Sequence, residues 1–317
     1  MTLHSPLQSI YHPLFKHHQL TVSIKRDDLL HPIISGNKWR KLKYNLISVK
    51  KLNKTSVISF GGAYSNHIHA LAFACYQQGL NSIGIIRGEP EYSNNFTLTW
   101  AQHWGMKLIF VDRHTYKKRQ QLEYLQQLQQ QYPDSFIVPE GGSNELALLG
   151  VAQICHELDN QIDYHTLILP VGSGGTLAGL ITGDKGQHDL LGIGVLKQGM
   201  NKDYLANEVN ALLPKTARYF GNWQINGDFH RGGYGKFSAQ DCTRIIEFIQ
   251  QTNIPFEPIY SGKMLLAFLD LIEQGYFNAG EKIVLLHTGG IQGLGGLAER
   301  KLIKACQWCL PSAAPVR

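Results

Sequence analysis

Thr166-Leu-Ile-Leu-Pro-Val171, running into Gly172-Ser-Gly-Gly-Thr176 and then into an apolar segment from Leu177, decides the fold. A short apolar run is of strand length, the glycines permit a tight turn, and the apolar continuation predicts a helix. The same succession occurs twice more. Ser56-Val-Ile-Ser-Phe60 leads through Gly61-Gly62 to a helix opening near Ser65-Asn66 and ending before Gly79. Lys282-Ile-Val-Leu-Leu286 leads through His287-Thr-Gly-Gly290 to a segment starting near Gly293. Strand, glycine turn and helix in repeated order predict βα units on parallel sheets, hence an α/β fold.

Between the first two units the pattern predicts a strand over Ser82 to Ile86, a helix over Ser93 to Trp104 and a strand over Lys107 to Val111. A helix over Thr115 to Gln131 and a strand over Phe136 to Val138 follow. This region reads as a small α/β domain, with boundaries near 50 and 150. The glutamine-rich stretch Gln120 to Gln131 keeps Leu122, Leu125 and Leu128 at helical spacing, which predicts an amphipathic surface helix.

Around these elements the composition is ordinary. The 317 residues carry a net charge of +6, with 43% hydrophobic and 17% charged residues, which excludes disorder, a collagen-like chain and a small disulfide scaffold. No apolar run approaches the roughly 20 residues needed to cross a bilayer. Met1 to Gln19 lacks the apolar core of a secretory signal, so the expected location is the cytoplasm. The five cysteines, Cys75, Cys155, Cys242, Cys306 and Cys309, suit reduced packing residues. Cys306 and Cys309 form a lone C-x-x-C with no second pair or ligand histidines near it, so no metal site is expected. The basic residues are scattered and accompany no nucleic-acid motif, which leaves an anionic small molecule as the electrostatic partner.

Five segments carry candidate chemistry. In Ser35-Gly-Asn-Lys38-Trp-Arg-Lys41, Ser35 or Asn37 is positioned to cap a helix whose first turn presents Lys38 and Lys41 on one face. Two lysines near free helix N–H groups suit a phosphorylated ligand, one as covalent amine and one as counter-charge; the other reading is an exposed basic helix. Ser65 and Asn66 sit at a strand-to-helix turn, where they either hold a ligand oxygen or cap the helix. Gly172-Ser173-Gly174-Gly175-Thr176 offers backbone N–H groups and two hydroxyls to a phosphate, or is a tight turn. It lacks the lysine of a Walker loop and the G-x-G-x-x-G spacing, which favours a phosphate monoester over ATP or NAD. Tyr260-Ser261-Gly262-Lys263 and His287-Thr288-Gly289-Gly290 supply a phenol and two neutral hydroxyls that suit a substrate proton or a ring nitrogen, or again capped turns.

Taken in order, Lys25-Arg-Asp-Asp28, Gly36-Asn-Lys38, Ser65-Asn66, Pro139-Glu-Gly-Gly-Ser-Asn144, Gly172 to Thr176, Gly232-Gly-Tyr-Gly235, Tyr260 to Lys263 and His287 to Gly290 resemble the pyridoxal-phosphate enzymes of fold type II. Within them they resemble the group of D-cysteine desulfhydrase and 1-aminocyclopropane-1-carboxylate (ACC) deaminase. The resemblance implies a tryptophan synthase β-like architecture: two open, twisted parallel-sheet domains with the cofactor between them. Residues 1–50 and 150–317 would be the larger, cofactor-binding domain and 51–149 the smaller. It implies that Lys38 holds the cofactor covalently, that Lys41 and Gly172, Ser173, Gly174, Gly175 and Thr176 hold its phosphate, and that Asn66 bonds its phenolic oxygen. Ser65 would meet the substrate carboxylate or act in the chemistry, Tyr260 would be the active-site tyrosine, and Lys38 would be the base at the substrate Cα. A homodimer is implied as well.

Two positions separate the activities. ACC deaminases resemble Tyr-Glu-Gly-Lys and His-Leu-Gly-Gly where this chain has Ser261 and Thr288. A glutamate at the ring nitrogen strengthens the electron sink needed for ring opening, whereas a neutral hydroxyl suffices when a thiol leaves. The expectation is therefore α,β-elimination of a small D-amino acid, D-cysteine giving pyruvate, sulfide and ammonia. ACC deaminase or another lyase or racemase is the alternative, and a non-catalytic binder of the cofactor or of an amino acid is a third reading. His67-Ile68-His69 stands where relatives resemble Gln/His-Thr-Arg; His67 reads as an acid–base group or as a polar helix-face residue.

Overall fold

The computed structural model describes residues 4–308 apart from 198 and 200, together with residue 310. Cys309 lies outside the described residues, so the Cys306–Cys309 spacing has no structural counterpart here. Among the described residues ten strands occur: β1 (Leu7–Ile10), β2 (Thr21–Lys25), β3 (Ser56–Gly62), β4 (Asn81–Arg87), β5 (Met106–Val111), β6 (Ser135–Ile137), β7 (Thr166–Val171), β8 (Asp189–Gly194), β9 (Trp223–Asn226) and β10 (Lys282–Leu286). They form a six-stranded sheet in the order β1-β2-β10-β7-β8-β9 and a four-stranded sheet in the order β5-β4-β3-β6. Every pairing is parallel except β1 with β2.

Strand periodicity explains how the larger sheet is covered on both faces. Ile168 of β7 with Ile283 and Leu285 of β10 joins a core with Phe248, Met264 and Phe268. Their neighbours Leu167, Leu169, Val284 and Leu286 face a second core with Val151, Leu158, Leu177 and Leu180. Successive side chains point to opposite faces, so an unbroken apolar strand feeds two helix layers. In the smaller sheet Val57 and Ile86 pack with Ile68, Leu71 and Leu98, and with Leu42, Leu46 and Val49 of the Asn37–Lys51 helix. Ile58, Phe60, Ile83 and Ile85 face Tyr116 and Leu128 on the other side.

The three strand–turn–helix units form as predicted, with helices at Asn66–Gln77, Gly175–Asp184 and Gly293–Glu299. The middle region departs in detail. The helix expected from Ser93 covers only Phe96–His103, because the Asn95 side chain accepts from Leu98 N at 2.8 Å and starts the helix there. The helix expected over Thr115 to Gln131 is two helices, Arg113–Lys117 and Leu122–Gln131, with Gln121 extended between them. Asp112 starts the first by accepting from His114 N and Thr115 N. Leu128 is buried but Leu122 is 65% exposed, so the leucine stripe is not one buried face.

Parallel strands place the loops after β3, β7 and β10 at the carboxyl edges of their sheets, where α/β folds bind ligands. Those loops carry Ser65, Gly172 and Thr288.

Candidate active site

The Lys38-bearing helix is seated by backbone contact. Gly36 has φ +64°, and a Cβ there would lie 1.8 Å from the Thr288 carbonyl oxygen, which leaves room only for glycine. Asn37 N–H donates to that same oxygen at 3.2 Å. Gly36 is the residue at the helix start and no side chain caps it, so the capping role expected of Ser35 or Asn37 does not occur. The Asn37 side chain turns instead to Thr176, donating through Nδ2 to Oγ1 at 2.8 Å.

One turn along, Arg40 is buried and anchors the helix from beneath. Its guanidinium meets Asp27 at 2.6 and 2.7 Å and Glu157 at 2.7 and 3.0 Å, and Glu157 also pairs with Lys25 at 2.7 Å. Bidentate charge-assisted bonds fix direction as well as distance. The network joins the residues after β2, the lysine helix and the Glu145–Asp159 helix.

Lys38 and Lys41 converge on one carbonyl. Lys38 Nζ lies 3.3 Å and Lys41 Nζ 3.4 Å from Gly141 O, and Lys41 also donates to Ser143 Oγ at 3.0 Å. Ser143 Oγ is in turn 2.9 Å from Ser173 Oγ. Neither lysine has a carboxylate within ion-pair distance among the described residues. Burial holds the Lys38 amine down to about 8, with Glu140 pulling the other way. Burial and then the Lys38 charge push Lys41 well below its ordinary value.

Two adjacent amines without a counter-charge, Lys41 buried and Lys38 half-buried, are costly unless an anion joins them. The space beside them fits a phosphate. A Cβ at Gly175 would lie 2.4 Å from Ser143 Oγ and 3.0 Å from Lys41 Nζ, so only a glycine keeps that cradle open. Gly175 opens a helix of ten residues, whose first N–H groups favour an anion. Gly174, at φ +75°, turns the chain into it. This donor set fits pyridoxal phosphate, which Lys38 would hold at the aldehyde end and Lys41, Ser143, Ser173 and the Gly174–Gly175 amides would hold at the phosphate end.

The opposite wall comes from three other segments. The Tyr260 ring lies 3.3 Å from the position of a Gly172 Cβ and meets Tyr234 edge-on at 5.9 Å. Lys263, wholly buried, donates to the carbonyls of His230 at 2.9 Å and Gly233 at 2.6 Å and so holds the loop that carries Tyr234. Burial first, then Tyr234, raises the Tyr260 phenol well above its ordinary value, so it keeps its proton. Asn66 faces the glycine turn after β10: Cβ atoms at Gly290 and Gly293 would each lie 3.3 Å from its amide. Ser65 accepts from Ile68 N at 3.3 Å, a capping bond that leaves the hydroxyl proton to be donated.

Ser261 is fully buried, and its partner is a residue that sequence reasoning missed. Its hydroxyl donates to Glu257 at 3.0 Å, and the same carboxylate accepts from Ile259 N at 2.6 Å, Tyr260 N at 2.9 Å and Ser261 N at 2.7 Å. Burial nevertheless raises Glu257 to about 7, against the pull of those four donors. The available signal was an acidic residue one turn ahead of a predicted helix, a common capping position. The roles of Asn37, Ser143 and Lys263 were missed too, because each acts across a long gap in sequence.

His67 is not on a polar face. It is 2% exposed, bonded through Nε2 to Ser59 Oγ at 2.8 Å, and its Nδ1 is buried without a hydrogen-bond partner. Burial, then Lys38 and Lys41, drive it well below its ordinary value and keep it neutral. His69 is buried edge-on against Trp104 at 4.8 Å. Among the described residues no helix is long and apolar enough to cross a membrane.

Comparison with known proteins gives a consistent picture. The family profile described as pyridoxal-phosphate dependent enzyme matches residues 6–289. A Pyrococcus horikoshii protein carrying a provisional 1-aminocyclopropane-1-carboxylate deaminase name is 29% identical over 286 residues, 86% of this chain and 85% of its own. A D-cysteine desulfhydrase of Serratia proteamaculans is 25% identical over 296 residues, 86% of this chain and 87% of its own. The crystal structure of an ACC deaminase homologue superposes with a TM-score of 0.78 at 27% identity, covering 94% of this chain and 93% of that one. The family match spans both lysines and the glycine cradle, and the structural match covers 94% of the chain, so the chain belongs to the pyridoxal-phosphate dependent enzymes of fold type II and is a lyase of the ACC deaminase and D-cysteine desulfhydrase group.

Proposed function

We propose that the protein catalyses α,β-elimination of a small D-amino acid, with D-cysteine and water giving pyruvate, sulfide and ammonia. The observation that carries this reading is the neutral hydroxyl of Ser261, together with Thr288 after β10, where relatives that open the cyclopropane ring resemble glutamate and leucine. Pyridoxal phosphate, when bound, supplies the electron sink that stabilises the charge left at the substrate Cα.

The chain's own residues do the rest. Lys38, with its amine held down to about 8, takes the Cα proton near neutral pH. Ser65 donates to the substrate carboxylate, and Asn66 to the phenolic oxygen of the cofactor. In this reading Tyr260, whose raised phenol keeps its proton beside Gly172 and Tyr234, gives a proton to the departing thiolate. Lys41, Ser173 and the Gly172 to Thr176 amides fix the phosphate, so that the Cα bond to be broken stays aligned. This reading also takes residues 1–50 and 150–317 as the larger domain and 51–149 as the smaller, which the division of the strands between two sheets supports. It further carries the homodimer that the family resemblance implies, and a cytoplasmic location.

ACC deamination is the second reading. It is favoured by the Glu257 carboxylate 3.0 Å behind Ser261 and by the name of the Pyrococcus relative. The test is product formation by purified, cofactor-loaded protein given D-cysteine and ACC in parallel. Pyruvate from D-cysteine alone supports elimination; 2-oxobutyrate from ACC overturns the Ser261 argument; no product from either, with cofactor bound, favours a binding protein.

A further inference from the structure

Glu257 has no part in the elimination chemistry described so far, yet it is a buried carboxylate held by four donors. It is 2% exposed, and its Oε1 takes three donors, the Ser261 hydroxyl among them. Three of its four partner groups are backbone N–H groups whose protons are fixed in direction. The Ser261 proton alone can turn. While Glu257 is ionised that proton is donated to the carboxylate, and Ser261 Oγ, which also accepts from Glu257 N at 3.4 Å, has one further lone pair to offer.

We propose that Glu257 is a positioning residue that acts through Ser261, making the pair a proton relay that shares one proton with the ring nitrogen of the cofactor. The inference rests on the reading that Ser261 meets that nitrogen. In one arrangement Glu257 is ionised, Ser261 donates to it, and Ser261 accepts from a protonated ring nitrogen. In the other, Glu257 holds the proton and donates to Ser261 Oγ, while Ser261 donates to a neutral ring nitrogen. Two protons move in step, each between neighbouring atoms, and no electron is gained or lost.

Ser261 is then not a neutral substitute for a glutamate at the ring but the link to a carboxylate set 3.0 Å behind it. The setting supports this. A Cβ at Gly290 would lie 3.3 Å from the Asn66 amide and 3.4 Å from Glu257 Cγ, so the carboxylate stem and the proposed phenolic-oxygen partner flank one turn. Burial brings Glu257 to about 7, where both arrangements are reachable near neutral pH. The other titratable groups that feel its charge are Lys263, held by backbone carbonyls, and the phenols Tyr260 and Tyr234, both raised. His287, on the strand before the Gly290 turn, is engaged with Pro255 O at 2.7 Å and lies 3.5 Å from Asp28.

The test uses two readouts that do not depend on turnover. In cofactor-free protein, the infrared band of a protonated carboxylic acid is followed with pH; it should titrate near 7 in the wild type and in Ser261→Ala, and be missing in Glu257→Gln. In cofactor-loaded protein, the cofactor absorbance is followed from about pH 5 to about pH 9. The wild type should show a one-proton step at the infrared midpoint, and Glu257→Gln and Ser261→Ala should each lose it. Glu257→Asp should keep the step with a displaced midpoint, and it replaces Glu257→Gln if that variant fails to fold. A step that persists unchanged in Glu257→Gln, or in Glu257→Asp with no displacement, overturns the relay. An absorbance titration unaltered in Ser261→Ala overturns the earlier reading, that Ser261 meets the ring, and distinguishes that failure from failure of the relay.

Discussion

The Asn37 amide donates to the Thr176 hydroxyl at 2.8 Å across 139 positions of sequence. This bond joins the first turn of the lysine helix to the glycine cradle, so the amine and phosphate ends of the site are held at a fixed separation. Thr176→Val removes the acceptor and strands the amide, at a cost of about 1 kcal/mol in stability. Affinity for pyridoxal phosphate should fall about tenfold, measured by fluorescence titration of the cofactor-free protein; unchanged affinity would show that the two ends are aligned by other contacts.

Lys41 is buried beside Lys38 without a carboxylate, a strain that a bound phosphate would relieve. Lys41→Met should therefore stabilise the cofactor-free protein by about 1 kcal/mol and weaken cofactor binding about a hundredfold. Thermal melting with and without cofactor checks both signs, and a variant destabilised in both states would remove the counter-charge argument.

Arg40 is the reverse case, a buried cation with two carboxylates. Arg40→Met leaves Asp27 and Glu157 crowded, with Lys25 and the exposed His4 as the cationic groups beside Glu157, and should cost about 3–5 kcal/mol in urea unfolding. A loss well below 1 kcal/mol would mean that solvent reaches the network.

Glu257 titrates at about 7 in the native chain against 4.5 when unfolded. Between those values the native state binds more protons, so its contribution to stability is full below 4.5 and is lost as pH rises through 7. Compared with Glu257→Gln, the wild type should lose up to about 3 kcal/mol across that window. Parallel pH-dependent unfolding curves for the two proteins would place the titration elsewhere.

Lys38→Ala should lower turnover by about 10³-fold or more. After borohydride reduction the wild type should gain the cofactor's mass and the variant should not. Mass gained by the variant at Lys41 would exchange the roles of the two lysines.

The sequence by itself marked six of the ten described strands, β3 to β7 and β10, while β1, β2, β8 and β9 emerged only in the folded sheets. Apolar runs of strand length followed by glycine turns, at Ser56, Thr166 and Lys282, pointed to buried parallel strands, and the alternation of side chains along β7 and β10 divides them between two cores. It also marked Lys38, Lys41, Ser65, Asn66, Tyr260 and the Gly172 to Thr176 loop, because lysine pairs, hydroxyls at strand ends and clustered glycines are local features. Local pattern misjudged caps and helix ends, as at Gly36 and Gln121, where a partner distant in sequence or a single side chain outweighs propensity.

Only the tertiary structure decided which groups work together. Gly36 against Thr288, Asn37 with Thr176, Lys41 with Ser143 and the buried state of His67 all join segments from different elements, and no spacing encodes such contacts. Glu257 shows the difference most plainly. Four residues ahead of Ser261 it reads as an ordinary helix-start acid; what raises it to about 7 is the exclusion of water by Phe256, the Gly290 turn and the Ser261–Glu273 helix, a property of the packed interior that a sequence position does not carry.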